Sequence, residues 1–491
     1  MPDAAGALVG IDVGTTGVKG VAIDETGAVL SVTEQAYPVH TPQPGWVEQD
    51  PEAWWVAAEQ VLERLHTETG TPRGIGLSGQ MHGLVALDCA DRVLRPAILW
   101  NDQRTREQCR QIEERIGLKR LIALTGNRAL PGFTAPKLLW VREHEPEIWA
   151  RVAHVMLPKD YVRLRLSGIR ATDVSDASGT LLLDVPGRRW SDEVVTDLEL
   201  EPAWLPEVLE SPERTGESGD GTPIAAGAGD QAAGALGVGV ARPGPLSIVL
   251  GTSGVVFAAA DEFLPDPEGR LHAFCHARPS GWHVMGVMLA AAGALGWARD
   301  ALAPEASFAA LVAGAAEWPP GVEGLTFLPY LAGERTPHAD PDARGAFTGL
   351  SLRHDRSALI RAVLEGVAFG LADSLTLIRE VGLEPDRGRA SGGGTRSELW
   401  LRILASVLEL PLERMVVAEG AAFGAALLGG VAAGVWTDVE TAMEATVRTG
   451  TPIEPVPEWI EPYREARERF RSLYPALRDT LTRSGARPDS A

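Results

Sequence analysis

The feature that most constrains the fold is a repeated segment that opens each half of the 491-residue chain. Residues 9–24 read VGIDVGTTGVKGVAID and residues 246–261 read LSIVLGTSGVVFAAAD, so the second copy starts 237 positions after the first. Each copy predicts a strand, a Gly-Thr-Thr/Ser-Gly turn and a returning strand, because β-branched runs flank a glycine turn. Both halves are therefore expected to open with the same hairpin.

The length of the chain also predicts two domains, because single cores stop growing near ~250 to 300 residues. A proline- and glycine-rich stretch at 210–223 precedes the second copy, which favours a boundary near 241–245. We therefore predict an N-terminal domain at 1–242 and a C-terminal domain at 243–482, with a catalytic cleft between them. The last residues, 483–491, are expected to form a disordered tail.

The two glycine turns have the composition of an anion site. Glycine tolerates positive φ and leaves successive backbone N–H groups uncovered, which makes a concave surface for phosphate. A single turn of this kind is usually a plain hairpin connection, but two copies that face each other would clamp a polyphosphate.

One difference between the copies indicates chemistry: Asp12 in the first is Val249 in the second. A carboxylate on a buried strand beside a phosphate loop is costly unless it meets a cation. Asp12 is therefore a candidate for positioning Mg²⁺, directly or through water. Lys19, later in the same hairpin, either faces phosphate or extends to solvent.

Asp230 lies in the segment GAGDQAAG, where an apolar strand is expected to meet an Ala/Gly-rich helix. A lone Asp at this position is about equally well explained as a helix N-cap. As a general base, it would accept the proton of a substrate hydroxyl that attacks the γ-phosphorus. Two loops, Gln80-Met81-His82 and Trp100-Asn101, offer the aromatic and polar groups of a sugar site, although a lone loop histidine is more often structural.

Several classes are disfavoured by composition and motifs. The formal charge of -21 disfavours binding to nucleic acid and to anionic membranes. No GxxxxGK(S/T) loop occurs, and GIGLSG at 74–79 is interpreted as a chance match to the dinucleotide pattern because no helix is expected after it. The apolar run at 420–436 falls short of a membrane span and predicts a buried helix.

The expected location is the cytoplasm. The N-terminus has no basic region of the kind that opens a signal peptide. Cys89, Cys109 and Cys275 are odd in number and lack CxxC spacing, as expected for reduced thiols.

The combination of these segments resembles the FGGY carbohydrate kinases over almost the entire chain. The segments that carry the resemblance are GIDVGTTGVK at 10–19, SGQMHG at 78–83, AILWNDQRT at 97–105, LPGFTAPKLLWV at 130–141, LPKDYVRLRLSG at 157–168, TDVSDASGT at 172–180, AGAGDQAAGALGVG at 226–239, LGTSGV at 250–255, LPYLAGERTPHADPDARG at 328–345 and SGGGTRSELW at 391–400. A departure occurs at 421–422, where many members have Gly-Pro, and it leaves the start of the local helix in question.

The resemblance implies an α/β fold of two actin-like, ribonuclease H-like domains that arose by duplication. It implies transfer of the γ-phosphoryl group of ATP, with Mg²⁺, to the terminal hydroxyl of a small ketose. The segments SGQMHG and LPGFTAPKLLWV favour D-xylulose, and glycerol kinases of the family have an Arg-Glu pair in place of Met81-His82. The implied catalytic residues are Asp230 and Asp12. The implied sugar contacts are Gln80, Met81, His82, Trp100, Asn101 and Asp230. The implied nucleotide contacts are Thr15, Thr16, Gly251, Thr252, Ser253, Gly393 and Gly394.

Two alternatives remain open from the sequence. The nearer one is a kinase of the same family that acts on ribulose, gluconate or an alditol, since only a few loop contacts would differ. The other is an actin-like or heat-shock-chaperone-like ATPase that binds a partner and no sugar. The expected partners are the ketose and ATP, without nucleic acid or membrane, and a homodimer is left open.

Overall fold

The computed structural model describes residues 6–417 and 419–482. The tail predicted at 483–491 lies outside the described residues. In the part that is described, no helix has both the length and the apolar character needed to cross a membrane.

The first half of the chain builds a sheet in the order β13-β14-β5-β1-β2-β3, with β15 paired to β5. The strands of this half are β1 (Leu8–Val13), β2 (Gly17–Ile23), β3 (Val29–Ala36), β4 (Glu48–Gln49), β5 (Gly74–Gly79), β6 (Val85–Leu87), β7 (Ala97–Ile98), β8 (His154–Met156), β9 (Ala171–Asp173), β10 (Leu183–Asp184), β11 (Arg189–Trp190), β12 (Glu207–Leu209), β13 (Arg214–Glu217), β14 (Pro223–Ala225) and β15 (Ala228–Gly229). Its helices are α1 (Pro51–Thr69), α2 (Arg106–Ile116), α3 (Leu118–Thr125), α4 (Thr134–His144), α5 (Pro146–Trp149), α6 (Pro158–Ser167), α7 (Val174–Ala177), α8 (Asp192–Asp197) and α9 (Asp230–Gly237).

The second half builds a sheet in the order β18-β19-β17-β16-β22-β23. Its strands are β16 (Pro245–Leu250), β17 (Gly254–Ala260), β18 (His272–Cys275), β19 (Trp282–Met288), β20 (Thr326–Leu328), β21 (Ala346–Thr348), β22 (Arg387–Ser391) and β23 (Leu412–Arg414). Its helices are α10 (Ala292–Leu302), α11 (Phe308–Ala315), α12 (Arg356–Glu380), α13 (Glu398–Leu408), α14 (Gly420–Ala432), α15 (Val439–Thr446) and α16 (Pro457–Thr482).

The two sheets share one arrangement, which confirms the predicted duplication. In the first, β1 pairs antiparallel with β2 and parallel with β5. In the second, β16 pairs antiparallel with β17 and parallel with β22. The carboxyl ends of the parallel strands β1, β5 and β15 meet at one edge of the first sheet, and those of β16 and β22 meet at one edge of the second.

Local signals predicted several helix starts correctly. The side chains of Asp50, Asp355 and Ser397 each accept a backbone amide of the first turn, at 3.0 to 3.1 Å. The closing helix, α16, begins at Pro457, where the missing N–H of a proline in the first turn costs nothing.

Helix α14 forms despite the Ala421-Ala422 departure, and it packs on the first sheet although it belongs to the second half of the sequence. A Cβ added to Gly10 or Gly76 would lie 1.8 Å from a carbonyl oxygen of this helix. A Cβ on Gly424, within the helix, would lie 1.8 Å from a carbonyl oxygen of α9. The small residues thus allow close backbone contact between α14 and both the first sheet and α9. The domain boundary at 242/243 stays a prediction, and α14 packs on the domain that lies before this boundary.

Candidate active site

The carbonyl oxygens of the first glycine turn, at 14–17, accept hydrogen bonds from side chains of neighbouring segments. Gly14 O accepts from the Tyr37 hydroxyl, and Thr15 O accepts from Gln49 Nε2 at 2.7 Å. Among the described residues, none accepts a hydrogen bond from the backbone N–H of Thr15 or Thr16. The turn therefore presents free donors, as a phosphate site requires.

The second turn, at 251–254, has the same polarity. The N-terminal amides of α10 donate to its carbonyl groups: Ala292 N to Gly251 O at 2.7 Å and Gly293 N to Thr252 O at 3.1 Å. The backbone N–H groups of Thr252 and Ser253 have no acceptor in the described part of the chain. Both turns are thus built as anion sites, and nucleotide binding there stays a prediction.

The glycine triplet follows β22 and packs against the second turn. A Cβ on Gly392 would lie 2.8 Å from the Leu250 carbonyl group, whereas a Cβ on Gly393 would meet open space. Gly394 is buried, and a Cβ there would lie 2.5 Å from the Leu250 side chain. Gly393 is therefore the residue of the triplet with room for a ligand, while Gly394 allows the close packing beneath it.

Asp12 lies at the carboxyl end of β1, beside Lys19 and Ser78 on the neighbouring strands. Its Oδ1 accepts a hydrogen bond from Ser78 Oγ at 3.0 Å. Burial raises the pKa of Asp12, and the Ser78 hydrogen bond and the charge of Lys19 offset part of that shift. Lys19 itself pairs with Glu34 and Glu419 at 2.8 and 2.6 Å, so it does not extend to a phosphate.

Asp230 is the first residue of α9, while Gly229 occupies the N-cap position. Asp230 is therefore not the N-cap residue of α9, which the helix-cap interpretation requires. Asp230 is half-buried, yet burial raises its pKa to about 7, and the negative charge of Asp12 contributes to the shift. Since β5 lies between the strands that carry the two carboxylates, their chains are separated by roughly 10 Å. That spacing leaves room for substrate groups between them.

Met81 and His82 form a wall beside Asp230. A Cβ added to Gly229 would lie 2.9 Å from Met81 Sδ, so this methionine packs directly against the residue before Asp230. The Nδ1 of His82 lies 2.6 Å from Gly179 O. Burial holds the pKa of His82 well below its usual value, so the ring is neutral and donates from Nδ1. Its Nε2 is then a lone-pair acceptor, and the predicted contact with a sugar hydroxyl stays a prediction.

The backbone of His82 has φ of 71°, an unusual value for a residue with a side chain. Its carbonyl oxygen accepts from Lys137 Nζ at 2.7 Å and from Thr134 Oγ1 at 3.1 Å. Buried donors thus fix the loop in this conformation, and strain of this kind clusters at functional sites.

Gln80, Trp100 and Asn101 lie close to the first turn. Gln80 Nε2 donates to Gly14 O at 3.2 Å and to Gln49 Oε1 at 3.1 Å, which commits its amide to support of the turn. The Trp100 indole donates to Thr15 Oγ1 at 3.0 Å, and Asn101 Oδ1 is buried without a hydrogen-bond partner among the described residues. The predicted sugar contacts of these residues stay predictions. Asn101 Oδ1 is the acceptor among them that the described residues leave available for a ligand.

A buried charged cluster beneath Asp230 was missed by the sequence analysis. Lys159 Nζ lies 2.5, 2.8 and 3.3 Å from Asp160, Asp173 and Asp176, and all four side chains are fully buried. Asp173 accepts from Ser175 Oγ, which in turn accepts from the Gly229 amide at 3.2 Å. The cluster therefore holds the peptide that precedes Asp230. The segments 157–168 and 172–180 carried the family resemblance, and their charged residues were the available signal.

Two α/β domains that share one strand arrangement and carry matching glycine turns are consistent with the actin-like ATPase fold. Models of the FGGY family of carbohydrate kinases match the chain: the N-terminal domain at residues 7–237 and the C-terminal domain at residues 246–433. The chain belongs to this family.

Relatives and solved structures agree with this assignment. A xylulose kinase of Escherichia coli is 43% identical over 96% of this chain and 99% of that protein. The structure of a xylulose kinase from Rhodospirillum rubrum is 33% identical, with a TM-score of 0.90, over 97% of this chain and 99% of that chain. The structure of a gluconate kinase from Lactobacillus acidophilus is 25% identical, with a TM-score of 0.93, over 98% and 99%.

Proposed function

We propose that this kinase transfers the γ-phosphoryl group of ATP to the terminal hydroxyl of D-xylulose and so forms D-xylulose 5-phosphate and ADP. The observation that carries the proposal is the position of Asp230: half-buried, with a pKa near 7, and beside the Met81-His82 wall. The xylulose kinases that are up to 44% identical to this chain support the choice of sugar.

Asp230 acts as the general base in this proposal. Its carboxylate accepts the proton of the attacking hydroxyl, for which a pKa near the working pH is favourable. The hydroxyl oxygen then bonds to the γ-phosphorus while the bond to the β-γ bridging oxygen breaks. Met81 and His82 orient the ketose, and the backbone amides of the two turns bind the phosphates.

Magnesium is the expected metal, with Asp12 as its protein contact through a water molecule, while substrate phosphates and further waters would complete its coordination. The described residues contain no group of three His, Cys, Asp or Glu side chains placed to hold a metal by themselves. A single half-buried carboxylate beside a phosphate turn fits Mg²⁺, which keeps several waters and shares substrate phosphates. Bound there, the ion would neutralise charge on the transferring phosphoryl group.

A coupled ADP-release assay over ketoses, polyols and sugar acids tests the substrate. We expect D-xylulose to give the highest kcat/KM. The likeness to a gluconate kinase makes gluconate the second candidate and the essential comparison. A gluconate or glycerol kcat/KM at least tenfold above that of D-xylulose would refute the substrate but leave the kinase activity standing.

We also propose that the enzyme works in the cytoplasm, with the ketose and ATP as its partners. Cys89, Cys109 and Cys275 are free thiols, as a reducing compartment favours. Fractionation of cells that express the protein checks the location, and recovery in the membrane pellet after a salt wash would contradict it.

A further inference from the structure

A cavity of about 500 Å³ lies between the two halves of the molecule, beside the candidate sugar site. The first half contributes Trp100, Asn101 and Gly132 to its wall, and the second half contributes Glu334 and Arg335. The cavity adjoins the phosphate turn, because the Trp100 indole bonds to Thr15. None of the sugar contacts considered so far comes from the second half.

Arg335 is the arginine of this cavity that has no carboxylate within 4.0 Å among the described residues, and its guanidinium lies over the Trp100 ring, 5.8 Å from the ring centroid. The other arginines in its wall, Arg106, Arg128 and Arg270, each lie within 4.0 Å of a carboxylate. In the described part of the chain, no group accepts a hydrogen bond from the Arg335 guanidinium or forms an ion pair with it. Arg335 is half-buried, and a guanidinium that loses water when a ligand binds needs new acceptors, so this side chain is suited to a ligand oxygen.

The backbone around Arg335 is fixed in place. Glu334 Oε1 accepts from Leu289 N at 3.0 Å and from Arg335 N at 2.8 Å. Thr336 N donates to Val287 O at 3.0 Å, and Thr336 Oγ1 accepts from Val287 N at 3.1 Å. The segment 334–336 is thereby held to the end of β19, and Arg335 is presented from a rigid support.

A chain of contacts leads from Asp230 to Arg335. Met81 packs against Gly229, and the His82 ring packs on Phe133 with their centroids 4.9 Å apart. A Cβ added to Gly132 would lie 3.2 Å from Arg335 Nη2. Arg335 is thereby connected to Asp230 through Met81, His82 and the backbone at 132–133.

The hydrogen-bonding groups of Arg335 and Asn101 match one chemical pattern. Arg335 only donates hydrogen bonds, whereas Asn101 Oδ1 only accepts them and is buried without a hydrogen-bond partner in the described part of the chain. A ketose presents a carbonyl oxygen, which only accepts, next to a hydroxyl that can donate. An alditol has a hydroxyl in place of the carbonyl and needs no dedicated donor.

We propose that Arg335 is a specificity-determining residue that donates to the C2 carbonyl oxygen of the ketose, while Asn101 Oδ1 accepts from the adjacent C1 hydroxyl. The inference rests on the proposed function, because it needs a ketose bound with its terminal hydroxyl at Asp230. It assigns recognition of the carbonyl to the second half of the molecule.

The test compares Arg335→Met with the wild-type enzyme on D-xylulose and on the C2-reduced alditols xylitol and D-arabinitol. We expect the KM for D-xylulose to rise about tenfold to a hundredfold, the range for a lost hydrogen bond to a charged group. The kcat/KM for the alditols should stay within about twofold, so that the preference for the ketose falls. Arg106→Met is the matched control, since Arg106 lines the same cavity but is half-exposed and lies 3.9 Å from Asp342.

A second arm tests Asn101 with a ketose that lacks the C1 hydroxyl. Asn101→Ala should weaken binding of D-xylulose in calorimetry, which does not depend on turnover, and should leave binding of 1-deoxy-D-xylulose unchanged. Equal losses for ketose and alditols in Arg335→Met, or an unchanged ketose preference, would overturn the inference. Failure of the wild-type enzyme to phosphorylate any ketose would instead refute the proposed function, so the two failures are distinguishable.

Discussion

Asp230 and Asp12 are two carboxylates at one sheet edge that are expected to do different work. For Asp230→Asn, we expect kcat to fall by about 10² to 10⁴, because the amide keeps the shape but cannot accept the proton. Sugar affinity should change far less. Steady-state kinetics with a separate binding titration measures both quantities.

Asp192→Asn is the matched control, because Asp192 is also the first residue of a helix but is exposed. It should leave kcat unchanged. If Asp230→Asn kept kcat and lost only modest sugar affinity, Asp230 would have a binding role and not a catalytic one.

The pKa of Asp230 gives the reaction a defined pH dependence. Since the base must be ionised, kcat/KM should rise with pH and level off above about pH 7. The folded state also holds the Asp230 proton to a higher pH than the unfolded chain does. The protonated Asp230 therefore contributes fully to the free energy of unfolding below about pH 4, and this contribution is lost as pH rises through 7. The change in the free energy of unfolding that Asp230→Asn causes should therefore be more favourable to the folded state at pH 8 than at pH 4. A pH-independent kcat/KM between 5.5 and 8.5, roughly three decades of proton concentration, would contradict the assignment.

Asp12 is expected to matter for turnover and not for holding the nucleotide. Asp12→Ala should abolish activity while ATP still binds, because the turn amides and the second half hold the phosphates. The fold should survive, since removing a buried carboxylate with a raised pKa relieves a desolvation cost. Ser78→Ala, which deletes only the hydrogen bond to Asp12, serves as the comparison and should retain activity. If Asp12→Ala kept a near-wild-type kcat at an ordinary magnesium concentration, the presence of Asp12 in the first repeat and Val249 in the second would reflect packing and not metal binding.

The sequence offered Asp12 and Asp230 as candidates because each stands next to a diagnostic glycine segment. It could not identify Arg335 or Lys159 as special. In the described residues no carboxylate pairs with Arg335, whereas Asp173 and Asp176 pair with Lys159, and only the folded chain decides which of these groups meet.

At the level of elements, the contact between α14 and the first sheet depends on glycine. Gly76→Ala would place a methyl group 1.8 Å from the Ala425 carbonyl oxygen, which is backbone and cannot move aside alone. We expect a loss of about 3 kcal/mol or more in the free energy of unfolding, at the upper end for overpacking. Urea denaturation measures it.

Gly296→Ala is the control for this change, because an added Cβ on this α10 residue meets nothing within 4 Å. There the substitution should stabilise by about 0.5 to 1 kcal/mol through the lower entropy of the unfolded chain. Equal effects of the two substitutions would show that the α14 contact can relax.

Helix caps and hairpins were predictable because their signals lie within a few residues of each other, as with Asp50 before Pro51. The apolar run at 420–436 also predicted a buried helix. Its position on the first sheet was not predictable, since the contact joins Gly10 to Ala422 and leaves no local pattern.

At the scale of the whole molecule, hydrogen bonds join the two halves directly. Ala273 N donates to Gly126 O at 3.3 Å, and Cys275 N donates to Ser178 Oγ at 3.0 Å. Closure on the sugar is expected to bring the two phosphate turns together and exclude water. The repeated hairpin predicted the two domains, but these contacts lie outside the repeat and were not predicted.

Water is then the competing nucleophile whenever the sugar is absent. We expect slow ATP hydrolysis without ketose, and we expect Asp230→Asn to reduce it by about 10² or more, because the same carboxylate activates a water in the empty hydroxyl site. Release of ADP in sugar-free buffer measures this rate. If Asp230→Asn hydrolysed ATP at the full wild-type rate, the attacking water would not be activated by Asp230.

The return of α14 to the first sheet has a consequence for biosynthesis. The face of β1 and β5 that this helix covers is complete only after residue 432 has left the ribosome, long after α9 ends at Gly237. At about 5 to 20 residues per second, the nascent first half waits on the order of 10 to 40 seconds for its missing helix. During that interval an apolar surface is exposed, so we expect a fragment that stops before Gly420 to require chaperones or to aggregate.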